Sequence, residues 1–260
     1  MKGILLSFDL EEFNLPLEYN LNISKDEQFN FSLKGLKKII NLLTKHNIKT
    51  TFFTTASFAS RYPKIIKDIS KKHEIASHNL HHNTKNYNHD EVKKSKQIIE
   101  KIINKKISGF RFPRLQKPDF NSLKELGFKY DSSISPTYLP GRYNNYFESK
   151  KITIKNKIYE IPISTMPLTN LPLSWLFIRF FGLNYAKIIT KYSMKNQKFT
   201  NLFFHPWEFN NLSKLRIPFY IKRNSGDKVL KLLEDYIIWA KNNNYQFQTF
   251  NELLNQYPLQ

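Results

Sequence analysis

Apolar and polar positions along this chain alternate between two periods. Residues 3–9 (GILLSFD) are a mostly apolar run closed by an acid, which predicts a buried strand. Over 31–46 the period changes, and Leu33, Leu36, Ile39, Ile40 and Leu43 recur on one face of a helix. Residues 48–54 (IKTTFFT) are β-branched and aromatic and read as the next strand. The exchange continues with a helix over 57–72, a strand at 73–77, a helix over 90–104 with Asp90 as N-cap, and a strand at 109–112. A helix over 119–126 stops at Gly127, and strands follow at 128–132, 158–163 and 199–204. A helix over 227–242 and a strand at 245–250 complete the series. Residues 135–157 interrupt it and predict a long loop with a hairpin over one end of the fold.

Strand and helix in turn imply an α/β fold around a parallel sheet, open or closed. A chain of 260 residues suits a (β/α) barrel, and no internal repeat or low-complexity linker divides it. The expected organisation is one catalytic domain over 1–260.

Composition narrows the chemistry. Hydrophobic residues at 40% and aromatics at 15% supply a sizeable core, which excludes disorder as the default. Cys is absent, so disulfides and thiolate zinc sites are excluded and any metal must sit on His and carboxylates. The apolar run Ile4–Leu5–Leu6 is too short for a signal peptide, and no stretch has the length of a membrane span. The expected location is cytoplasmic. Lys and Arg number 41 against 21 acids, a formal net charge of +20 that suits nucleic acid, anionic lipid or an acidic glycan. The lysines are scattered through a chain rich in Lys, Asn and Ile, however, and a nucleic-acid role is not expected. The most apolar stretch, 171–183 (LPLSWLFIRFFGL), reads as a buried helix or packed loop. Its alternative is an interfacial segment with Arg179 and nearby lysines toward lipid headgroups.

The polar residues fall at strand ends. Asp9 and Glu11 close the first strand, His78 and His82 follow the third, and Arg111 ends GFRF. Asp131 follows Tyr130, and His205 ends LFF. In a parallel β/α fold these ends meet at one face, where the active site lies. His78 and His82, four apart, can grip one cation from one helical turn, or be two exposed polar residues in a His-rich stretch. Asp9 and Glu11 alternate so that both can face one side, one as ligand and the other as base toward water. His205, fixed by flanking aromatics and Pro206, can act as a general acid or be a core histidine. Glu208 offers a second carboxylate, and Trp207 a sugar-stacking surface or a core residue. Arg111 needs an acid partner if buried, with Asp9 and Asp131 as candidates, while Arg114 is expected to snorkel.

Taken in order, SFDLEEF, HEIASHNLHH, GFRFPR, KYDSSI and FFHPWEF resemble the motifs of NodB-homology polysaccharide deacetylases, from residue 3 to about 209. The resemblance implies a distorted (β/α) barrel of seven or eight parallel strands. It implies a hydrolase that removes an N-acetyl or other N-acyl group from an amino sugar of a polysaccharide or its precursor. It implies a divalent metal, zinc before cobalt, manganese or nickel, on Glu11, His78 and His82. Asp9 is then the base, Arg111 its orienting partner, His205 the acid and Asp131 the acidic partner of that histidine. The backbone N–H of Arg114 is implied at the oxyanion, and Trp207 is the residue expected to bind the sugar. Many members carry two adjacent acids, whereas here Leu10 follows Asp9, which leaves Glu11 rather than Glu12 as ligand. Without an export signal, the chain resembles versions acting on nucleotide- or undecaprenyl-linked sugars, with peripheral contact to anionic membrane. Two other readings stay open: a glycoside hydrolase pairing Asp9 or Glu11 with Glu208, and a non-catalytic basic module binding glycan or lipid.

Overall fold

The computed structural model describes residues 3–82 and 86–256, so the ends of the expected 1–260 range lie outside the described residues. Strand β1 (Gly3–Leu10) lies second in a sheet whose order is β10-β1-β2-β3-β4-β5-β9-β8. The members are β2 (Thr51–Thr54), β3 (Glu74–Ser77), β4 (Gly109–Phe110) and β5 (Tyr130–Asp131). A short hairpin, β6 (Tyr138–Leu139) with β7 (Tyr143–Asn144), stands apart in the expected 135–157 loop. Then come β8 (Thr153–Lys155), β9 (Ile158–Glu160), β10 (Phe199–Phe204) and β11 (Gln246–Phe247), which pairs the start of β1. All pairings in the large sheet are parallel except β8 with β9. The sheet curls, and Ser164 N–H donating to the Asn201 carbonyl (3.1 Å) links the chain after β9 back to β10.

Strand parity sorts the side chains into two layers. Ile4, Leu6, Phe8 and Leu10 pack outward against the helices, with Phe52, Ile75, Phe110, Leu202 and Phe204. Leu5, Phe53, Ala76, Tyr130, Tyr159 and Phe199 point into the barrel. The helices around it are α1 (Lys25–Lys45), α2 (Ala56–Arg61), α3 (Pro63–Ile69), α4 (His89–Ile103) and α5 (Phe120–Glu125). After them come α6 (Trp175–Phe181), α7 (Leu183–Asn196), α8 (Phe219–Lys222), α9 (Asp227–Asn242) and α10 (Phe250–Leu254).

Several boundaries differ from those expected, each for a local reason. Helix α1 begins six residues earlier than 31, because Ser24 and Glu27 form a reciprocal capping box. The expected 57–72 helix is two helices, since Pro63 starts a new one and cannot continue the old. The cap of α4 is Asn88, not Asp90. The expected strand at 245–250 is a two-residue strand followed by α10, capped by Thr249 and Glu252. Phe250 of α10 closes the barrel floor, stacked on Tyr130 at 5.3 Å.

Candidate active site

The parity that builds the core also builds the site. Ser7, Asp9 and Glu11 continue the inward series of Leu5, while Leu10 between them is core on the other face. Arg111 follows outward-facing Phe110, and His205 follows outward-facing Phe204, so both reach inward at strand ends. Each of these groups is buried.

Asp9 and Arg111 form a tight pair. Arg111 Nη1 donates to Asp9 Oδ1 (2.7 Å) and to Ser7 Oγ (2.9 Å), while Nε and Nη2 donate to the Ser132 carbonyl and hydroxyl (2.9 and 3.0 Å). The guanidinium carbon lies 4.0 Å from the Phe53 ring centroid. A buried guanidinium this fully bonded holds its partner carboxylate in one orientation. The other Asp9 oxygen, Oδ2, is 3.9 Å from His205 Nε2.

Glu11, His78 and His82 present their ligand atoms within 4.8 Å of one another. Glu11 Oε2 is 3.2 Å from each histidine Nε2, yet accepts no directed hydrogen bond. The reason lies behind the rings. His78 Nδ1 donates to the Arg111 carbonyl (2.9 Å), and His82 Nδ1 donates to Asn14 Oδ1 (2.9 Å). In its neutral form each ring then turns a lone pair toward Glu11. Burial, against the pull of Glu11, holds His82 below its ordinary value. Burial alone would raise Glu11; positive charge on His82, His205 and His78 outweighs it and brings its pKa down to about 2, so the buried carboxylate is stable here only with cationic charge beside it. With both rings neutral, three electron-rich atoms converge on one buried point, a destabilising arrangement unless a cation lies between them. The donor set, two imidazoles and a carboxylate, fits a divalent ion of the zinc type with open positions. Glu12 turns the opposite way and accepts from Thr55 Oγ1, Ser57 Oγ and the His82 backbone N–H.

His205 donates Nδ1–H to Glu208 Oε1 (3.0 Å), and its backbone N–H donates to the same oxygen. Its Nε2 faces Asp9 Oδ2 and Glu11 Oε1, at 3.9 and 4.0 Å. Burial would lower its pKa, but Glu11, Glu208 and Asp9 together raise it. Behind Glu208 stands Arg179, whose Nη1 donates to Oε2 at 3.1 Å. The same guanidinium grips the carbonyls of Ile221 and Arg223.

Two expected roles are corrected. Asp131 is not the partner of His205; Glu208 is. The inward residues here are Tyr130 and, just past the strand, Ser132, which bonds Arg111, whereas Asp131 faces the other side of the sheet and accepts from Ser133 N–H and Oγ. Trp207 is not an open stacking surface. It is 3% exposed, packed by Phe13, Trp175 and His205, and its Nε1–H donates to Glu11 Oε1 at 3.2 Å. Arg114 does reach solvent, paired with Glu18 at 2.8 Å on a left-handed backbone (φ 59°). Asn14 and Arg179 were not among the expected site residues. The His205–Glu208 spacing of three was the readable signal for that pair. The pairing of Glu208 with Arg179 and His205 also removes it from a glycosidase pair.

Comparisons with known proteins bear on the domain and the fold. Residues 32–130 match the polysaccharide deacetylase family model, and residues 132–253 match a domain of unknown function, DUF3473. A peptidoglycan-N-acetylglucosamine deacetylase of Bacillus cereus is 32% identical over 100 residues, which cover 38% of this chain and 36% of the relative. The chain thus aligns with about a third of that relative's length. Among solved structures, a polysaccharide deacetylase from Mycobacterium smegmatis superposes with TM-score 0.65 at 15% identity, covering 98% of this chain and 90% of that one. A family 4 acetyl xylan esterase from Clostridium thermocellum, holding a cobalt ion, gives 0.53 at 16% identity over 98% and 90% of the two chains. A CE4-family pseudoenzyme from Bacillus anthracis gives 0.52 at 15% identity over 98% and 66%. These structures share the curled parallel half-barrel. By its family model, residues 32–130 carry a polysaccharide deacetylase domain, and the whole chain has the curled half-barrel fold of these structures.

Proposed function

We propose that this chain hydrolyses an N-acyl group from an amino sugar, using a divalent ion, zinc by preference, held by Glu11, His78 and His82. The observation that carries the reading is the buried, unbonded Glu11 Oε2 between two histidine nitrogens whose protons are committed elsewhere. When bound, the ion would polarise the acyl carbonyl and acidify a water. The rest of the chemistry belongs to this chain. Asp9, with Oδ1 fixed by Arg111, uses Oδ2 to take the proton of the attacking water. His205, its Nδ1–H anchored on Glu208, gives a proton from Nε2 to the departing nitrogen. The Arg114 backbone is the proposed donor to the developing oxyanion.

The proposed working unit is the whole of 1–260. Support comes from both matched regions supplying strands to one sheet, and from His205 of the second facing Asp9 and Glu11 at the end of the first strand. The proposed substrate is an N-acetylated amino sugar in a polysaccharide or in its lipid- or nucleotide-linked precursor; the Bacillus cereus relative's name supports the sugar class. Action at the cytoplasmic membrane face is part of the proposal. No helix among the described residues is long and apolar enough to cross a membrane. Protease digestion of the protein in intact cells would place it outside.

The deciding experiment measures metal content and acetate release together. Wild-type protein is expected to hold about one equivalent of divalent metal and to release acetate from N-acetylated chitooligosaccharides. His78→Ala with His82→Ala is expected to lose both while keeping its far-UV spectrum. Wild type that takes up no metal on reconstitution would overturn the reading.

A further inference from the structure

We infer that the face formed by α6 and residues 211–226 docks on an anionic lipid bilayer. Charge is the first observation. Residues 161–226 hold nine Lys and Arg against one acid, Glu208; Arg179 is buried against that acid, which leaves eight, and the next acid along the chain, Asp227, is paired with Lys38. Glu208 is buried and bonded to Arg179 and His205, so the region presents no carboxylate to solvent to offset its cations.

The second observation is apolar. Phe180 and Phe181 of α6 are 44% and 50% exposed, and Phe219 and Tyr220 of α8 are 67% and 50% exposed. They form one patch: Arg223 lies over Phe180 at 4.9 Å and over Phe219 at 5.9 Å, and Phe180 meets Phe181 at 5.0 Å. Exposed aromatic rings in a cationic field match the boundary of a bilayer, where rings enter the headgroup region and Lys or Arg meets phosphate. Nucleic acid fits less well. Base stacking needs free ring faces, and Arg223 occupies a face of both Phe180 and Phe219.

The patch adjoins the site. Trp175, the first residue of α6, packs edge-on against His205 at 5.4 Å. Docking in this orientation would bring the catalytic face to the headgroup layer, where the sugar of a lipid-linked precursor lies. Only that use of the surface rests on the deacetylase reading; the docking itself does not.

Vesicle flotation tests it. Wild type at low salt is expected to float with vesicles of phosphatidylglycerol and phosphatidylcholine, and at least ~10-fold less with phosphatidylcholine alone, with high salt weakening the association. Phe180→Ser, Phe181→Ser and Phe219→Ser together are expected to lower binding by about 10-fold or more, since each removes buried apolar area at the interface. Melting temperature, metal content and acetate release from soluble chitooligosaccharide should stay at wild-type levels. If the triple variant fails to fold, Phe219→Ser alone, at the most exposed ring, should still weaken flotation several-fold. No flotation of wild type, or undiminished flotation of the ring variants, overturns the inference. Flotation without acetate release would sink the deacetylase reading and leave the docking surface standing.

Discussion

Asp9 and Glu11 stand two residues apart on one strand and do different work because different neighbours hold them. Arg111 fixes Asp9 by one oxygen and leaves the other toward His205. Asp9→Asn is expected to lower kcat by about 10²–10⁴-fold, the usual range for a lost general base, while metal content is retained. Steady-state kinetics with metal analysis on the same preparation checks it. Loss of the metal in this variant would mean Asp9 is a ligand instead. The sequence already displayed most of this cluster, since strand-end acids and histidines in a parallel fold must meet. Asp131 shows where such reading fails: a shift of one residue reverses the face, and nothing in KYDSSI marks Ser132 as the inward member. Asn14 was invisible for another reason, because only the loop path after β1 brings it behind His82.

Among the strands, β5 and β9 pair Asp131 directly with Glu160, both buried on the outer face of the sheet. Burial, then the neighbouring Asp131, raises Glu160 well above the ordinary carboxylate value, and burial raises Asp131. A carboxyl with a raised folded value binds its proton more tightly in the folded chain. Its contribution is complete below the unfolded value of about 4 and is lost as pH rises through the folded value. Glu160→Gln keeps an oxygen for the Ile134 N–H and removes the charge. It is expected to stabilise the protein at pH 8 by on the order of 1 kcal/mol, with the gain vanishing toward pH 4. Urea unfolding at the two pH values measures it, and a wild type less stable at pH 4.5 than Glu160→Gln contradicts it. Helix α1 gives a second test. A Cβ on Gly35 would overlap the Pro206 carbonyl, one residue beyond His205. Gly35→Ala is expected to cost about 1–3 kcal/mol by overpacking and to lower kcat through the displaced turn, read from unfolding and kinetics together. The elements themselves are largely legible from their periods. Helix α7 is not, because it directly follows the apolar α6 across Gly182, and α10 is missed because its first residue, Phe250, is aromatic and extends the strand-like run 245–250.

Across the whole molecule, the two matched regions are joined by the sheet and by buried contacts such as Arg111 with Ser132, and the second is tied together internally by Arg179 and Glu208. Arg179→Met would leave Glu208 buried without its cation, an imbalance worth about 3–5 kcal/mol. The expected result is a lower unfolding midpoint together with a weakened His205, seen as a fall in kcat larger than any change in KM. An unchanged midpoint would show that the pair is not buried in solution. Arg179 holds the 221–223 stretch by main-chain carbonyls and not by side chains. The outer surface of that stretch can therefore exchange its residues freely during divergence without disturbing the proton donor within. A lineage built on this scaffold can change what it settles against while inheriting its chemistry intact, and a designer can graft new surface there with the same freedom.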